Sequence, residues 1–149
     1  MLGVHHSAIC TADVERSLRF WRDGLGLSQL IDYQFTGNWP ELFGAKTDRL
    51  RLIFLGDPQK PGSGIVELVE LAGADLAPPA TSAARAPRHG FFLLSLQRDV
   101  DETLSALAAL GFTDGVRRID VAAPDGKTVA MAVISAPDGV LVELIGRAR

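Results

Sequence analysis

Two kinds of apolar spacing alternate along the chain. Residues 3–10 (GVHHSAIC) read as a short β-branched and apolar strand. A helix follows: Asp13 stands as its N-cap, and Val14, Leu18, Trp21 and Leu25 fall at i, i+4, i+7 and i+11, one face of a 3.6-residue period. Gly24 and Gly26 end it. Strands are predicted over 30–35 (LIDYQF), 50–55 (LRLIFL) and 65–71 (IVELVEL). Between them lie a loop-like stretch, 36–46 (TGNWPELFGAK), and Gly/Pro turns at 56–58 and 61–64. Residues 72–88, rich in Ala and Pro, read as a linker whose Ala content leaves room for a short helical turn. Then the pattern starts again. Residues 90–96 (GFFLLSL) suit a strand, and Asp99 is an N-cap with Glu102 three residues on, the acidic analogue of a capping box. Val100, Leu104, Leu107 and Ala108 form a helix face that ends at Gly111. Strands follow near 116–121, 128–135 and 140–145, with Pro-Asp-Gly turns at 124–126 and 137–139.

The order is β-α-β-β-β, linker, β-α-β-β-β, and the copies align by residue type. Asp13-Val14 matches Asp99-Val100, Leu25-Gly26-Leu27 matches Leu110-Gly111-Phe112, and Ile65-Val66-Glu67-Leu68 matches Leu141-Val142-Glu143-Leu144. Each half-sheet must bury its apolar face against a helix and its sister. The expectation is therefore one α+β domain over 1–149: module one 3–71, linker 72–88, module two 89–146.

Composition narrows the partners. The 149 residues are 47% hydrophobic and 22% charged, with a net charge of −3, which is globular composition. A mildly acidic chain without Lys/Arg clusters argues against nucleic acid or an anionic membrane as partner. No basic-then-apolar leader opens the chain, and no apolar run approaches the roughly 20 residues that span a bilayer. The single cysteine, Cys10, excludes an intrachain disulfide and fits a cytoplasmic setting; lying in an apolar run, it reads as a small core residue rather than a nucleophile.

Candidate chemistry rests on polar residues placed mid-strand. Glu67 and Glu143 occupy matching positions of the repeat, each flanked by apolar neighbours on both faces. A carboxylate in such a strand is costly to bury unless a positive group meets it or a cavity hydrates it. A shared functional purpose and a solvated outer face both account for the pair. His5 and His6 lie on the first strand, where period-2 geometry sends one to each face; structural and ligand roles are open for both. His89, the third histidine, opens the second module. Tyr33, Trp39, Arg51 and Phe54 are candidates to line a cavity, Trp39 either as a binding residue in its loop or folded back on the core. Glu70, on the face opposite Glu67, reads as solvated, and Trp21 as helix-face core.

Residues 6–27 (HSAICTADVERSLRFWRDGLGL) resemble the opening strand and helix of vicinal oxygen chelate proteins, the superfamily of glyoxalases, bleomycin-resistance proteins and extradiol dioxygenases. Residues 136–144 (APDGVLVEL) resemble their closing hairpin, where a Pro-Asp-Gly turn precedes a strand carrying Glu-Leu. The resemblance implies a cupped mixed sheet around a central cavity, a homodimer, and a small-molecule substrate or ligand. It also implies a divalent metal ion (Mn, Fe, Ni, Co, Zn or Mg) held by one residue from the first and last strand of each module. By position, His6 matches the first ligand, Glu67 the second and Glu143 the fourth.

The third ligand departs from the pattern. Val14 lies eight residues after His6, and eight residues before Val100 stands Phe92, not His89. A bulge or extra residues around Gln97-Arg98 would restore His89. With a ligand there, the set is His6, Glu67, His89 and Glu143; without one, the site has three protein ligands or has lost its metal. Two functions follow: a metal-dependent lyase, isomerase or dioxygenase acting on a small oxygenated metabolite, or a metal-free antibiotic-binding protein of the bleomycin-resistance type. The resemblance favours the enzyme, and no residue stands out as its general base.

Overall fold

The computed structural model describes residues 3–78 and 87–149; the middle of the predicted linker, 79–86, lies outside the described residues. The chain divides into two compact units, Met1–Pro78 and Pro79–Arg149, a boundary inside the predicted linker.

The first unit runs β1 (His6–Cys10), α1 (Val14–Leu18), a π-helical segment (Arg19–Gly24), β2 (Ser28–Thr36), α2 (Trp39–Phe43), β3 (Arg49–Gly56) and β4 (Ile65–Leu71). Its strands form one sheet in the order β1-β4-β3-β2, with β1 parallel to β4 and the other pairs antiparallel. The second unit repeats this plan: β5 (Leu94–Gln97), α3 (Val100–Ala109), β6 (Arg117–Ala122), β7 (Thr128–Ser135) and β8 (Leu141–Ile145), in the order β5-β8-β7-β6 with β5 parallel to β8. The doubled module read from the sequence is the observed architecture.

Local chemistry explains the helices. The Asp13 carboxylate accepts the Arg16 amide at 3.0 Å and Asp99 accepts the Glu102 amide at 3.0 Å, so each cap satisfies a donor left free in the first turn. After Leu18 the helix widens: the Leu25 amide bonds Phe20 O at 2.9 Å, an i→i−5 contact, where two adjacent large rings, Phe20 and Trp21, are both fully buried. The stretch read as loop over 36–46 contains α2. Its signals were present: Asn38 accepts from the Glu41 amide, Pro40 sits in the first turn, and Gly44 takes the left-handed conformation at the C-cap. Five residues are too few to show a helical period.

Each sheet has a packed face and a second, more open one. In the first unit Ile9, Val66, Leu68, Ile53 and Leu55 share the packed face and are buried, as are Val14, Leu18, Trp21 and Leu25 of the helical segment. In the second, Val142, Leu144, Ala132 and Ile134 do the same alongside Val100 and Leu107. Cys10 corrects the expectation of a core thiol. Alternation along β1 buries Ile9 and sends Cys10 to the open face, where it is exposed. Among the described residues no helix is long and apolar enough to cross a membrane.

Candidate functional site

On the open face of the first sheet, strand register sets the neighbours. Ala8 pairs with Glu67 and Glu67 with Phe54, so these three side chains share a side; His6, two residues before Ala8, shares it too. The parallel pairing leaves His6 diagonal to Glu67, and its Nε2 lies 3.0 Å from Glu67 Oε2. Glu67 is buried (9% exposed). Burial pushes its carboxyl above the usual range, opposed by the nearby His6 and His5 rings. The His6 ring stacks on Phe54 with centroids 5.6 Å apart and planes at 29°.

His5 corrects the period-2 expectation. The sheet ladder begins at His6, so alternation does not govern the residue before it. The His5 ring turns to the same cluster: its Nδ1 is 2.8 Å from His6 Nδ1, and its centroid is 5.9 Å from that of Phe54.

The rest of this face is apolar. The β2–β3 register shifts between Gln29 and Ile31, which brings Ile31, Tyr33 and Phe35 opposite Phe54, Leu52 and Leu50. Ile31, Tyr33 and Phe35 are 37%, 58% and 41% exposed, and the Tyr33 and Phe35 rings lie 5.6 Å apart. Tyr33 and Phe54 thus stand on the site face as the sequence suggested. Arg51 does not. It shares the side of Ile53 and Leu55, pairs in register with the half-buried Glu70, and is clamped by both Asp32 oxygens at 2.8 and 2.7 Å. That clamp holds the Asp32 carboxyl below its ordinary range. Trp39 is half-buried, its indole packed over Gly37 and stacked on Phe43 at 5.8 Å; it folds back on its own loop rather than on the sheet core.

The second sheet presents a simpler polar centre. Glu143 pairs in register with Ser95, whose hydroxyl donates to Glu143 Oε1 at 2.7 Å. Ser95 is therefore the counterpart of Ala8, and sequence reasoning missed it. The available signal was a serine in phase with the Glu-bearing face of an otherwise apolar strand. Ile119 and Val121 lie exposed on this face, in register with Met131 and Val129.

The register does not reach a counterpart of His6 in the second sheet. His6 pairs with Ile65, two before Glu67; the position two before Ser95 is Leu93, which precedes β5 and lies outside its ladder. The count from the helix reached Phe92 because the connection differs in length. The Thr11 amide bonds Val69 O and the Arg98 amide bonds Ile145 O at equivalent places, yet Asp13 follows Thr11 by two residues and Asp99 follows Arg98 by one. The extra residue that would restore His89 is absent; the connection is one shorter instead. His89 lies exposed in a bend before β5, four residues ahead of Leu93. The structure thus brings together His6 and Glu67 in one unit, and Glu143 and Ser95 in the other. Among the described residues no three His, Cys, Asp or Glu side chains gather as a ready-made metal cage.

Comparison with known proteins adds the lineage. The model of the Glyoxalase/Bleomycin resistance protein/Dioxygenase superfamily matches residues 3–144. The lactoylglutathione lyase-like protein terB of Aspergillus terreus is 32% identical over 97% of this chain and 75% of its own length. Among solved structures, a glyoxalase family protein from Bacillus cereus superposes with a TM-score of 0.72 at 17% identity, covering 98% of this chain and 94% of the other. The trypanothione-dependent glyoxalase I of Leishmania major gives 0.63 at 22% identity, covering 98% and 87%.

Proposed function

The chain belongs to the Glyoxalase/Bleomycin resistance protein/Dioxygenase superfamily, and from that premise we propose that it is a divalent-cation-dependent lyase, isomerase or dioxygenase acting on a small oxygenated molecule with an apolar or aromatic body. One observation carries the proposal: His6 Nε2 and Glu67 Oε2 approach to 3.0 Å on an otherwise apolar sheet face. An imidazole nitrogen and a carboxylate oxygen directed at one another are donors of the kind that hold Mn, Fe(II), Co, Ni or Zn. Burying a carboxylate there costs stability, which accords with a purpose other than folding.

In this reading His6, Glu67 and Glu143 are the protein donors, as the family resemblance implies, and His89, exposed in the bend before β5, is the further candidate. A cation bound there supplies Lewis-acid polarisation of substrate oxygens. The chain's own residues do the rest. Phe54 holds the His6 ring by stacking, Ser95 orients the Glu143 carboxylate, and Tyr33 and Phe35 offer aromatic surface to the body of the substrate.

Elemental analysis of untagged, dialysed protein tests the reading. About one divalent ion per chain is expected, with loss of that ion in His6→Ala and in Glu143→Ala at unchanged secondary structure. Retention of stoichiometric metal in both variants refutes the donor assignment. A second reading, a metal-free small-molecule binder, is favoured by the exposed Ile31, Tyr33 and Phe35 on the open face of the first sheet. Absence of bound ion, together with no thermal stabilisation on adding Mn(II), Ni(II) or Zn(II), selects it.

A further inference from the structure

We propose that His5 is the positioning residue for His6: it holds His6 Nδ1 by a hydrogen bond whose direction can reverse, and so keeps the His6 ring oriented whichever of its nitrogens carries the proton. The proposal rests on the reading above only in taking His6 as the imidazole of the site.

The geometry makes the assignment. His5 precedes β1, and its carbonyl accepts the Ile65 amide at 3.2 Å, which fixes the backbone while leaving the side chain outside the alternation of the strand. The ring swings beside His6, with centroids 5.1 Å apart and planes at 83°, and both rings rest against Phe54. A separation of 2.8 Å between two Nδ1 atoms demands a proton between them. A neutral imidazole has one N–H and one lone pair, so each ring must offer the opposite of the other.

The other side of His6 decides the direction. With Nε2 facing the acceptor Glu67 Oε2, His6 carries its proton on Nε2, presents a lone pair at Nδ1, and His5 donates from Nδ1. When His6 instead gives its Nε2 lone pair to a cation, its one proton must sit on Nδ1. His5 then accepts at Nδ1 and carries its own proton on Nε2. Between the two states the bridging proton passes from His5 to His6, His6 Nε2 releases one proton to solvent, and the exposed His5 takes one up at Nε2. A backbone carbonyl could only accept and a lysine could only donate; a second imidazole does both, so the His6 orientation is held in either state.

Three variants test this against mere packing. His5→Phe keeps an aromatic ring on Phe54 but has no Nδ1, and His5→Asn places an amide near the same point. In cation-free protein, ¹⁵N–¹H correlation spectra of the histidine rings should show His6 chiefly as the Nε2–H form, with a shift toward a mixture in His5→Phe and recovery in His5→Asn. Calorimetric titration with Zn(II) should show affinity reduced about 10–100-fold in His5→Phe and largely restored in His5→Asn, with Glu67→Ala as the control that removes a donor outright. An unchanged His6 tautomer and unchanged Zn(II) affinity in His5→Phe overturn the proposal. If the wild type takes up no Zn(II), the cation site fails, and the tautomer comparison alone upholds or overturns the role of His5.

Discussion

Replacing Glu67 with methionine should make the cation-free protein more stable while abolishing cation binding. The Glu67 side chain is only 12% exposed and lies among Ala8, Ile65, Val69 and Phe54 on its face, with the His6 ring as its polar partner. Burial already raises its carboxyl pKa, so keeping the group charged costs more than the neighbouring imidazoles return. Methionine has a similar volume and no charge. A buried methionine side chain contributes about 1.5–3 kcal/mol relative to exposure, part of which the Glu67 methylenes already supply. The lost pair with His6, itself 40% exposed, is worth about 0–1 kcal/mol. The balance favours the variant by roughly 1–2 kcal/mol, within the range seen when buried ionic groups give way to apolar ones. That corresponds to a rise of about 3–8 °C in Tm. The assay is a thermal melt in EDTA, followed by Zn(II) titration of both proteins. A fall of several degrees would show that the carboxylate is a structural anchor. Undiminished Zn(II) binding would show that Glu67 is no ligand. Each result refutes the view that the residue is kept at the expense of stability for its chemistry.

Ser95→Ala should weaken Zn(II) binding about tenfold through a freed Glu143 carboxylate, with little change in Tm; equal affinity by calorimetry would remove Ser95 from the site. Asp32→Asn should cost about 0.5–1 kcal/mol at neutral pH, because Arg51 holds the Asp32 carboxyl below its ordinary value and the pair is about 30% exposed. That advantage is present above the unfolded value near 3.8 and is lost as pH falls through the lower folded value, so urea titrations of wild type and variant should stay apart above pH 3.8 and draw together only as pH falls below it. Gly37→Ala would set a methyl 2.7 Å from the Trp39 indole; the ring must move, with a red-shifted fluorescence component and a loss of about 1 kcal/mol or more, and an unchanged emission spectrum would contradict the packing.

How far the sequence speaks for itself depends on whether a feature is local. The two βαβββ modules were legible because caps, periods and turns act over a few residues: Asp13 and Asp99 announce their helices, and short apolar, β-branched runs at 65–71 and 141–145 mark two of the strands. The α2 turn was missed because five residues carry no period. The face of Arg51 was readable in principle, being in phase with Ile53 and Leu55, whereas its clamp by Asp32 depends on the pairing of β2 with β3. Features set by pairing between distant strands were not readable at all. His5 joins His6 because the ladder starts at the His6–Ile65 pair, and that start depends on where β4 begins, some sixty residues away. The count back from the second helix is displaced by a connection one residue shorter in that module, and Thr11-Ala12-Asp13 and Arg98-Asp99 are equally acceptable approaches to a helix.

The two modules hold their glutamates differently. Beside Glu67 the in-register neighbour is Ala8, too small to hold the carboxylate, and the diagonal His6 takes that role. Beside Glu143 the in-register neighbour is Ser95, which holds the carboxylate directly. Each glutamate thus has a partner of different chemistry: a ring nitrogen, which can bind a cation or carry a proton, beside Glu67, and a hydroxyl, which can only orient the carboxylate, beside Glu143.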